Sequence, residues 1–547
     1  MRLPVPSFRA NSRFQTFHPP RAVVSLLILC TLCSLSAPAQ AADRTNVPLR
    51  NWNGFAINWH WTYDAIKKLV LAGLADRVVL NTKPMSRLEM ARVVAQAINK
   101  ITGDEGGTYA DRRDLEDILY RLLEEFRPEL AELGVEAAMA EGKPAGFFQV
   151  KPLDKLQVRT AYAKDDADLE NNQGDSFRDG FNARLATFSR GQVGDFFSAT
   201  LSPELRIDQQ GGVNARLLEG FGKFTLYNVE AGGGRESLWW GPGFHGSMLF
   251  STNARPFDLI KVGAAEPFML PWVFNYLGPI KFTYFLGQLE ENRDFPHTKL
   301  TGIRINLSPA SFLEVGLSRV VQFNGDGRPS VGVGDYFKIL FGPGSDDPNS
   351  VLNNNTLLSA DFSLRLPNVG RFLPLFKDLE IYGELGWDDT CCEDIFVPNL
   401  PGGIIGLYSP NLFGSSQTEL RIEYAATSKI QFNSSIYASG YSFKGRPISH
   451  FIGTRGKDFF IRIGRWFGPD VLVGLEFDRA EIGPVQAGTL NLPREKRYTA
   501  GLDVSYRFSK TLTLFGAYRY TSSENLGSVP DLDLNNHLLR LEATFSF

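Results

Sequence analysis

Toward its C-terminus the chain alternates apolar and polar residues with a period of two, and the polar positions carry charge. Ala500, Leu502, Val504, Tyr506 and Phe508 alternate with Thr499, Gly501, Asp503, Ser505 and Arg507. After Ser509-Lys510 the pattern resumes, with Leu512, Leu514, Tyr518 and Tyr520 set against Thr513, Ala517, Arg519 and Thr521. Leu539, Leu541, Ala543, Phe545 and Phe547 then oppose Arg540, Glu542, Thr544 and Ser546. Successive side chains of a strand point to opposite faces, so each segment has one apolar and one polar face. Any one of these strands would also suit a soluble sandwich, which buries an apolar face and solvates the other. Charge facing one way in strand after strand, behind an aromatic-rich face, points instead to a lipid-clad barrel with a polar interior.

Comparable alternation recurs from Lys155–Tyr162 to Val471–Phe477, including Lys223–Val229, Leu313–Phe323 and Ile430–Ala438. With poorly patterned strands allowed between Trp239 and Met269, the count reaches about 16 to 18. This predicts a mainly-β fold, a closed antiparallel transmembrane β-barrel over residues 147–547, wide enough for water unless it is plugged. The 52 glycines and 12% aromatic content suit many strands and turns, and a formal charge of -3 gives no case for nucleic acid. The terminal Phe545-Ser546-Phe547 resembles the insertion signal of outer-membrane barrels, which implies the barrel-assembly machinery and outer-membrane lipid as partners.

The N-terminus predicts export. Arg2, Arg9, Arg13 and Arg21 precede an apolar run from Ala22 to Leu35 that ends in Ala39-Gln40-Ala41, the layout of a cleavable secretory signal over residues 1–41. Its apolar core is too short to span a bilayer as a helix, and no later run is long enough. Both early cysteines leave with the signal, and the remaining pair, Cys391-Cys392, reads as part of a loop.

After a linker over 42–58, the periodicity is helical. Ile66, Leu69, Val70 and Leu74 keep one face, as do Leu88, Val93, Val94, Ala97 and Ile101, with Ser86 as N-cap and Glu89 three residues on. The stretch 59–103 resembles an S-layer homology module, with Met85-Ser86-Arg87-Leu88-Glu89 standing at that family's signature. The resemblance implies a periplasmic module bound to peptidoglycan through Arg87, with Trp61 beside it. The alternative is a small helical plug in which Ser86 and Glu89 only cap a helix. Over 104–146, an amphipathic helix and linker follow, with a stripe of Leu115, Ile118, Leu119, Leu122, Leu123 and Phe126 that Pro128 breaks or restarts.

The most distinctive stretch is Trp239-Trp240-Gly241-Pro242-Gly243-Phe244-His245-Gly246-Ser247, followed by Asn253-Ala254-Arg255-Pro256. Gly406 to Gly414, Glu419–Tyr424, Gly453–Asp458, Pro469-Asp470 and Glu476-Phe477-Asp478-Arg479 extend the pattern along the barrel. Together these resemble the Wzi family of capsule-assembly outer-membrane proteins. The resemblance implies 18 strands, a plugged lumen and a surface polysaccharide as partner, with Trp239, Trp240, Asn253 and Arg255 as candidate sugar contacts. Aromatic faces stack on sugar rings, and Asn and Arg supply directional hydrogen bonds to hydroxyls and carboxylates. The alternative places both tryptophans in an interfacial girdle and Arg255 in a structural lumen pair.

The sequence offers no catalytic or metal motif and calls for no cofactor. His60, His245, His297, His450 and His537 have no metal-ligand spacing, and the nearest nucleophile and base, His245 and Ser247, rest on adjacency alone. The acidic run around Asp388-Asp389 and Glu393-Asp394 lacks calcium-loop spacing. Two functions remain, a polysaccharide-anchoring barrel and a wall-anchored diffusion porin. Deleting Phe547 is expected to leave the protein in the periplasm or degraded. Membrane fractionation checks this, and normal heat-modifiable barrel in the outer membrane would refute it.

Overall fold

The computed structural model describes residues 43–52, 58–103, 115–135, 147–345, 347–388, 401–484 and 491–547. The signal segment, Cys391-Cys392 and the acidic run from Asp389 lie outside these residues.

Eighteen antiparallel strands form one closed barrel. They are β1 (Phe148–Ala163), β2 (Gly180–Val193), β3 (Phe197–Asp208), β4 (Gly212–Leu226), β5 (Val229–Glu236), β6 (Phe257–Ala264), β7 (Ile280–Gln288), β8 (Lys299–Ala310) and β9 (Leu313–Phe323). Then come β10 (Asn355–Leu366), β11 (Leu379–Trp387), β12 (Gly402–Ser409), β13 (Thr418–Ala426), β14 (Lys457–Phe467), β15 (Val471–Ile482), β16 (Glu495–Arg507), β17 (Leu512–Glu524) and β18 (Leu534–Ser546). Each pairs with its neighbours in sequence, and β1 closes the sheet on β18 with Lys155 opposite Ser546 and Ala163 opposite Leu538. One end carries the short turns 194–196, 227–228, 311–312 and 468–470, and the other the long connections 164–179, 237–256, 324–354 and 427–456. We call these the turn side and the loop side.

The alternation holds where it is clearest. In β16, Tyr498, Leu502, Val504 and Tyr506 face out while Thr499, Asp503 and Ser505 are buried inward. Tyr227, Trp272, Tyr276, Phe372, Phe508 and Phe547 are exposed on the turn side, as an interfacial collar requires. Three departures have local causes. The run Lys223–Val229 crosses the turn between β4 and β5, where Tyr227 takes φ 52°. Ile430–Ala438 is not a strand but part of a long connection that folds inward, with Phe432 and Tyr437 fully buried. Strands β5 and β12 show little alternation because glycines occupy the positions that would display it. At Gly232 and Gly406 a Cβ would meet the rings of Phe221 and Tyr382 at 2.7 and 2.2 Å, so those rings require glycine beside them.

The helical region, which the sequence sets apart as its own module, lies within the turn-side half of the barrel. Its helices are α1 (Trp61–Leu71), α2 (Arg87–Thr102), α3 (Glu116–Glu125) and α4 (Arg127–Glu132), the last two broken at Phe126 just before Pro128. Ser86 caps α2 by accepting the Glu89 N–H at 3.1 Å. The Glu89 carboxylate does not close a capping box but pairs with Lys281 of β7 at 2.6 Å. Lys67 pairs with Glu380 of β11 at 2.9 Å, Lys68 with Glu419 of β13 at 2.8 Å, and Asp64 with Arg421 of β13 at 2.9 Å. The backbone N–H groups of Leu80 and Asn81 both donate to Glu314 of β9 at 2.9 Å. Arg304 of β8, fully buried, donates to Asp361, Ser318, the Thr82 hydroxyl and the Asn81 carbonyl. The charged inward faces of the strands are thus matched by the plug, and removing one partner of such a pair costs about 3–5 kcal/mol.

Lys83 stands apart. It is buried, has no ion pair among the described residues, and rests its ammonium 4.5 Å from the Trp59 ring and 6.0 Å from that of Tyr63. Burial, with Lys67 adding repulsion, pushes its pKa down to about 7. The unfolded chain therefore holds more protons than the fold between pH 7 and the ordinary lysine value, and stability rises with pH across that window. Below pH 7 both states are charged and the fold carries the whole penalty. Lys83→Met should raise the temperature of the heat-modifiability transition most near pH 6, with the gain shrinking toward pH 10. A gain independent of pH would mean that Lys83 keeps its ordinary pKa in the fold and is charged in both states across this window.

Candidate functional site

The connection 237–256 does not leave the barrel but folds down its lumen to meet the plug. Trp239-Trp240 forms a two-residue antiparallel ladder with Thr82-Lys83, extended by the Gly241 N–H donating to the Asn81 carbonyl at 2.9 Å. Trp239 packs edge-on to Trp59 with centroids 5.1 Å apart, and Trp240 packs edge-on to Phe250 and Phe285 at 4.9 and 5.5 Å. Both indoles are 0% exposed, so neither ring offers a face to a sugar and neither belongs to an interfacial girdle. The intervening glycines are steric necessities. Gly241 takes φ 127° against the Glu384 carboxylate, and a Cβ at Gly246 would lie 2.1 Å from the His450 ring.

The motif segments that lie far apart in sequence converge on this connection. Glu423 of β13 accepts the N–H groups of Phe244 and His245 at 2.7 and 3.0 Å and the Tyr382 hydroxyl at 2.9 Å. The His245 ring stacks on Phe460 at 4.0 Å, with Nδ1 2.8 Å from Asp458 Oδ2. Asp458 and Asp478 sit on the inward face of β14 and β15, two residues apart in register. The ligand atoms of His245, Asp458 and Asp478 all lie within 4.8 Å of one another. His450 adds Nε2 at 3.7 Å from Asp458 Oδ2. Sequence spacing hides this cluster because its members come from four separate segments. Ser247, by contrast, donates to the Trp240 carbonyl while His245 turns to Asp458, so the two do not form a nucleophile and base.

Above this layer the loop side opens into a hollow of about 380 Å³. Asn253, Arg446, Arg497, Phe451 and Glu170 are among its lining residues. Asn253 is buried at its edge, donating from Nδ2 to the Pro447 carbonyl at 3.1 Å. Arg446 pairs with Asp168 and donates to the carbonyls of Leu169 and Asp175. Arg255 is half-buried against Gly174 and makes no ion pair among the described residues, in contrast to the lumen pair weighed from sequence. Burial first, then Arg206 and Arg446, shift its guanidinium below the ordinary arginine value, and burial and Arg255 lower Lys444 likewise. The result is a cation-rich edge beside the hollow. Arg446 and Phe451 were not legible as site residues, because nothing in their own segment marks them.

The candidate wall contacts are inside the barrel. Arg87 pairs with Glu129 and Glu125 at 2.5 and 2.7 Å and lies over the Phe126 ring. Those carboxylates hold its charge well above the ordinary arginine range against the cost of burial. Trp61 is 7% exposed, covered by the Arg121 guanidinium at 4.4 Å.

Glu423→Ala should strip three buried donors of their acceptor, at about 1–3 kcal/mol each. The expected readout is a lower heat-modifiability transition and new proteolytic cleavage within 237–256 in intact barrels. Unchanged protection would show that the connection is held without Glu423.

Residues 155–538 match the family model for capsule assembly protein Wzi. A 55.8 kDa protein of Klebsiella pneumoniae from the cps region is 24% identical over 348 residues, which cover 61% of this chain and 59% of that protein's length. Among solved structures, Escherichia coli Wzi, described as an outer-membrane carbohydrate-binding β-barrel involved in group 1 capsule assembly, superposes with a TM-score of 0.67. It is 18% identical, over 90% of this chain and 99% of that one. Pseudomonas aeruginosa OprD aligns with a TM-score of 0.44 at 11% identity, over 75% of this chain and 98% of that one. A family model that spans most of the barrel, joined to a closed 18-strand fold whose motif segments meet in one lumen cluster, makes this chain an outer-membrane β-barrel of the Wzi capsule assembly family.

Proposed function

We propose that the protein holds a surface polysaccharide at the loop side of the barrel, and so acts in capsule or exopolysaccharide assembly as a binding surface rather than a conduit. The observation that carries this reading is the hollow beside Asn253 and Arg446, edged by Arg255 and Lys444, on a barrel whose lumen is filled beneath it. Its volume lies in the usual range for small-ligand sites, about 300–1,000 Å³. An unpaired guanidinium is free to take the carboxylate of an acidic sugar in two parallel hydrogen bonds. Family membership and the carbohydrate-binding description of the Escherichia coli protein support the same conclusion.

With short turns at the end bearing the termini and long connections opposite, the general layout of outer-membrane barrels puts the hollow outside the cell and the plug toward the periplasm. For the helical region we propose the plug role in place of peptidoglycan attachment, because Arg87 and Trp61 already have partners within the fold. Trp239 and Trp240 become the joint between plug and connection, and sugar contact passes to Asn253, Arg255 and Arg446. A diffusion porin is the weaker reading, since two layers of packed side chains occupy the lumen. No catalytic role is proposed.

Cells lacking the protein should make the same total polysaccharide but release more of it into the medium. Many weak contacts along one polymer give retention even when each site is only millimolar. In purified barrels, Arg255→Ala should weaken polysaccharide binding several-fold and reduce its sensitivity to salt, without moving the heat-modifiability transition. Equal retention in the deletion strain, together with steady large single-channel openings of the purified barrel, would replace the anchor with a porin.

A further inference from the structure

Below the hollow, the cluster of His245, Asp458, Asp478 and His450 serves no purpose in sugar binding. We propose that it binds one divalent transition-metal ion, which pins the connection 237–256 to β14, β15 and the 427–456 connection. The geometry is that of a ligand set. His245 Nδ1 and Asp458 Oδ2 are 2.8 Å apart, a hydrogen bond that an ion held at about 2.0–2.2 Å from each would replace by opening the two atoms to roughly 3.3–3.6 Å. An Asp478 oxygen lies within 4.8 Å of both, and His450 Nε2 stands on the other side of Asp458.

The buried polar atoms of the cluster also want partners. All four residues are at most 5% exposed. Both Asp478 oxygens, Asp458 Oδ1 and His450 Nε2 are buried without an N–H or hydroxyl donor, and the two carboxyl groups lie within hydrogen-bonding reach of each other. Neither Asp458 nor Asp478 has a Lys or Arg ion pair among the described residues, in a lumen whose other inward carboxylates mostly do. The nearby Arg497 is engaged with Glu170 and Glu495, and Arg519 with Glu170 and Glu476. Two carboxylates placed side by side out of water need a cation or a shared proton. The His245 imidazole facing the same carboxylate pair favours the cation.

Ligand chemistry narrows the ion. An imidazole nitrogen and two carboxylates, with the His450 imidazole beside them, suit zinc or manganese, whereas calcium takes six to eight oxygens. The ion would tie the connection 237–256 to the hairpin of β14 and β15, more than 200 residues away in sequence, where no disulfide among the described residues does so.

The test uses the full mature chain isolated from outer membranes in detergent, and the same chain refolded from urea with chelator. Elemental analysis of the isolated barrel should find about one zinc or manganese per chain after exhaustive dialysis. Refolding with one equivalent of Zn²⁺ should raise the heat-modifiability transition by about 10 °C over the chelated sample. Asp478→Asn keeps the shape of the side chain and should abolish both the bound metal and the zinc-dependent shift. His245→Gln should do the same. A metal-free isolated barrel with no zinc response, or zinc binding undiminished in the double variant, would overturn the proposal. In that case the two aspartates share a proton, and Asp478→Asn should be at least as stable as the wild type.

Discussion

A charge taken out of water must find a partner, and in this protein that rule governs everything inside the barrel. Strands with lipid on one face have only the other face for polar residues, so closing the sheet gathers their arginines, lysines and carboxylates into one enclosed space. Arg304 with Asp361 and Arg365 with Glu314 solve part of the problem between strands. The plug solves a further part, with Asp64, Lys67, Lys68 and Glu89 each meeting an opposite charge on one of three strands, β7, β11 and β13. The helices need the lumen as much as the lumen needs them. α1 buries two lysines that no isolated helical module could bury.

Seen this way, the distinctive Trp-Trp-Gly-Pro-Gly segment is a structural joint. Two indoles fill the level where plug and connection meet, and glycines let the chain turn where Glu384 and the His450 ring leave no room for a Cβ. Glu423 then fixes the backbone of Phe244 and His245. Residues that look suited to stack on sugars from their chemistry are instead spent on packing. On the upper edge of the same segment, Asn253 and Arg255 stand with Arg446 of the neighbouring connection around the hollow, and the proposed function gives them the ligand.

The barrel was legible in sequence wherever side chains alternate, as in β16 and β18, and illegible where glycine replaces the informative residue, as in β5 and β12. The helices were legible for the same reason, down to the Ser86 cap and the break before Pro128. Their place was not. Period and caps report the local face of a helix, while the partners of Lys67 and Lys68 lie more than 300 residues away. Arg87 illustrates the limit well: an arginine at a wall-binding signature and an arginine bound to Glu125 and Glu129 have the same local sequence. The His245 cluster is a further case, since ligand spacing is only visible when ligands share an element.

The filled lumen also constrains what the loop side can do. A conduit for polymer would require both the plug and the connection 237–256 to leave, separating the ion pairs on β7, β11 and β13 and exposing Trp239, Trp240 and Phe244 at once. Weak sugar contacts would have to return the loss of all of these together. A rigid floor has the opposite merit. It holds Asn253 and the arginines around the hollow in one arrangement, so that under the proposed function a polymer would lose little more than its own freedom on binding.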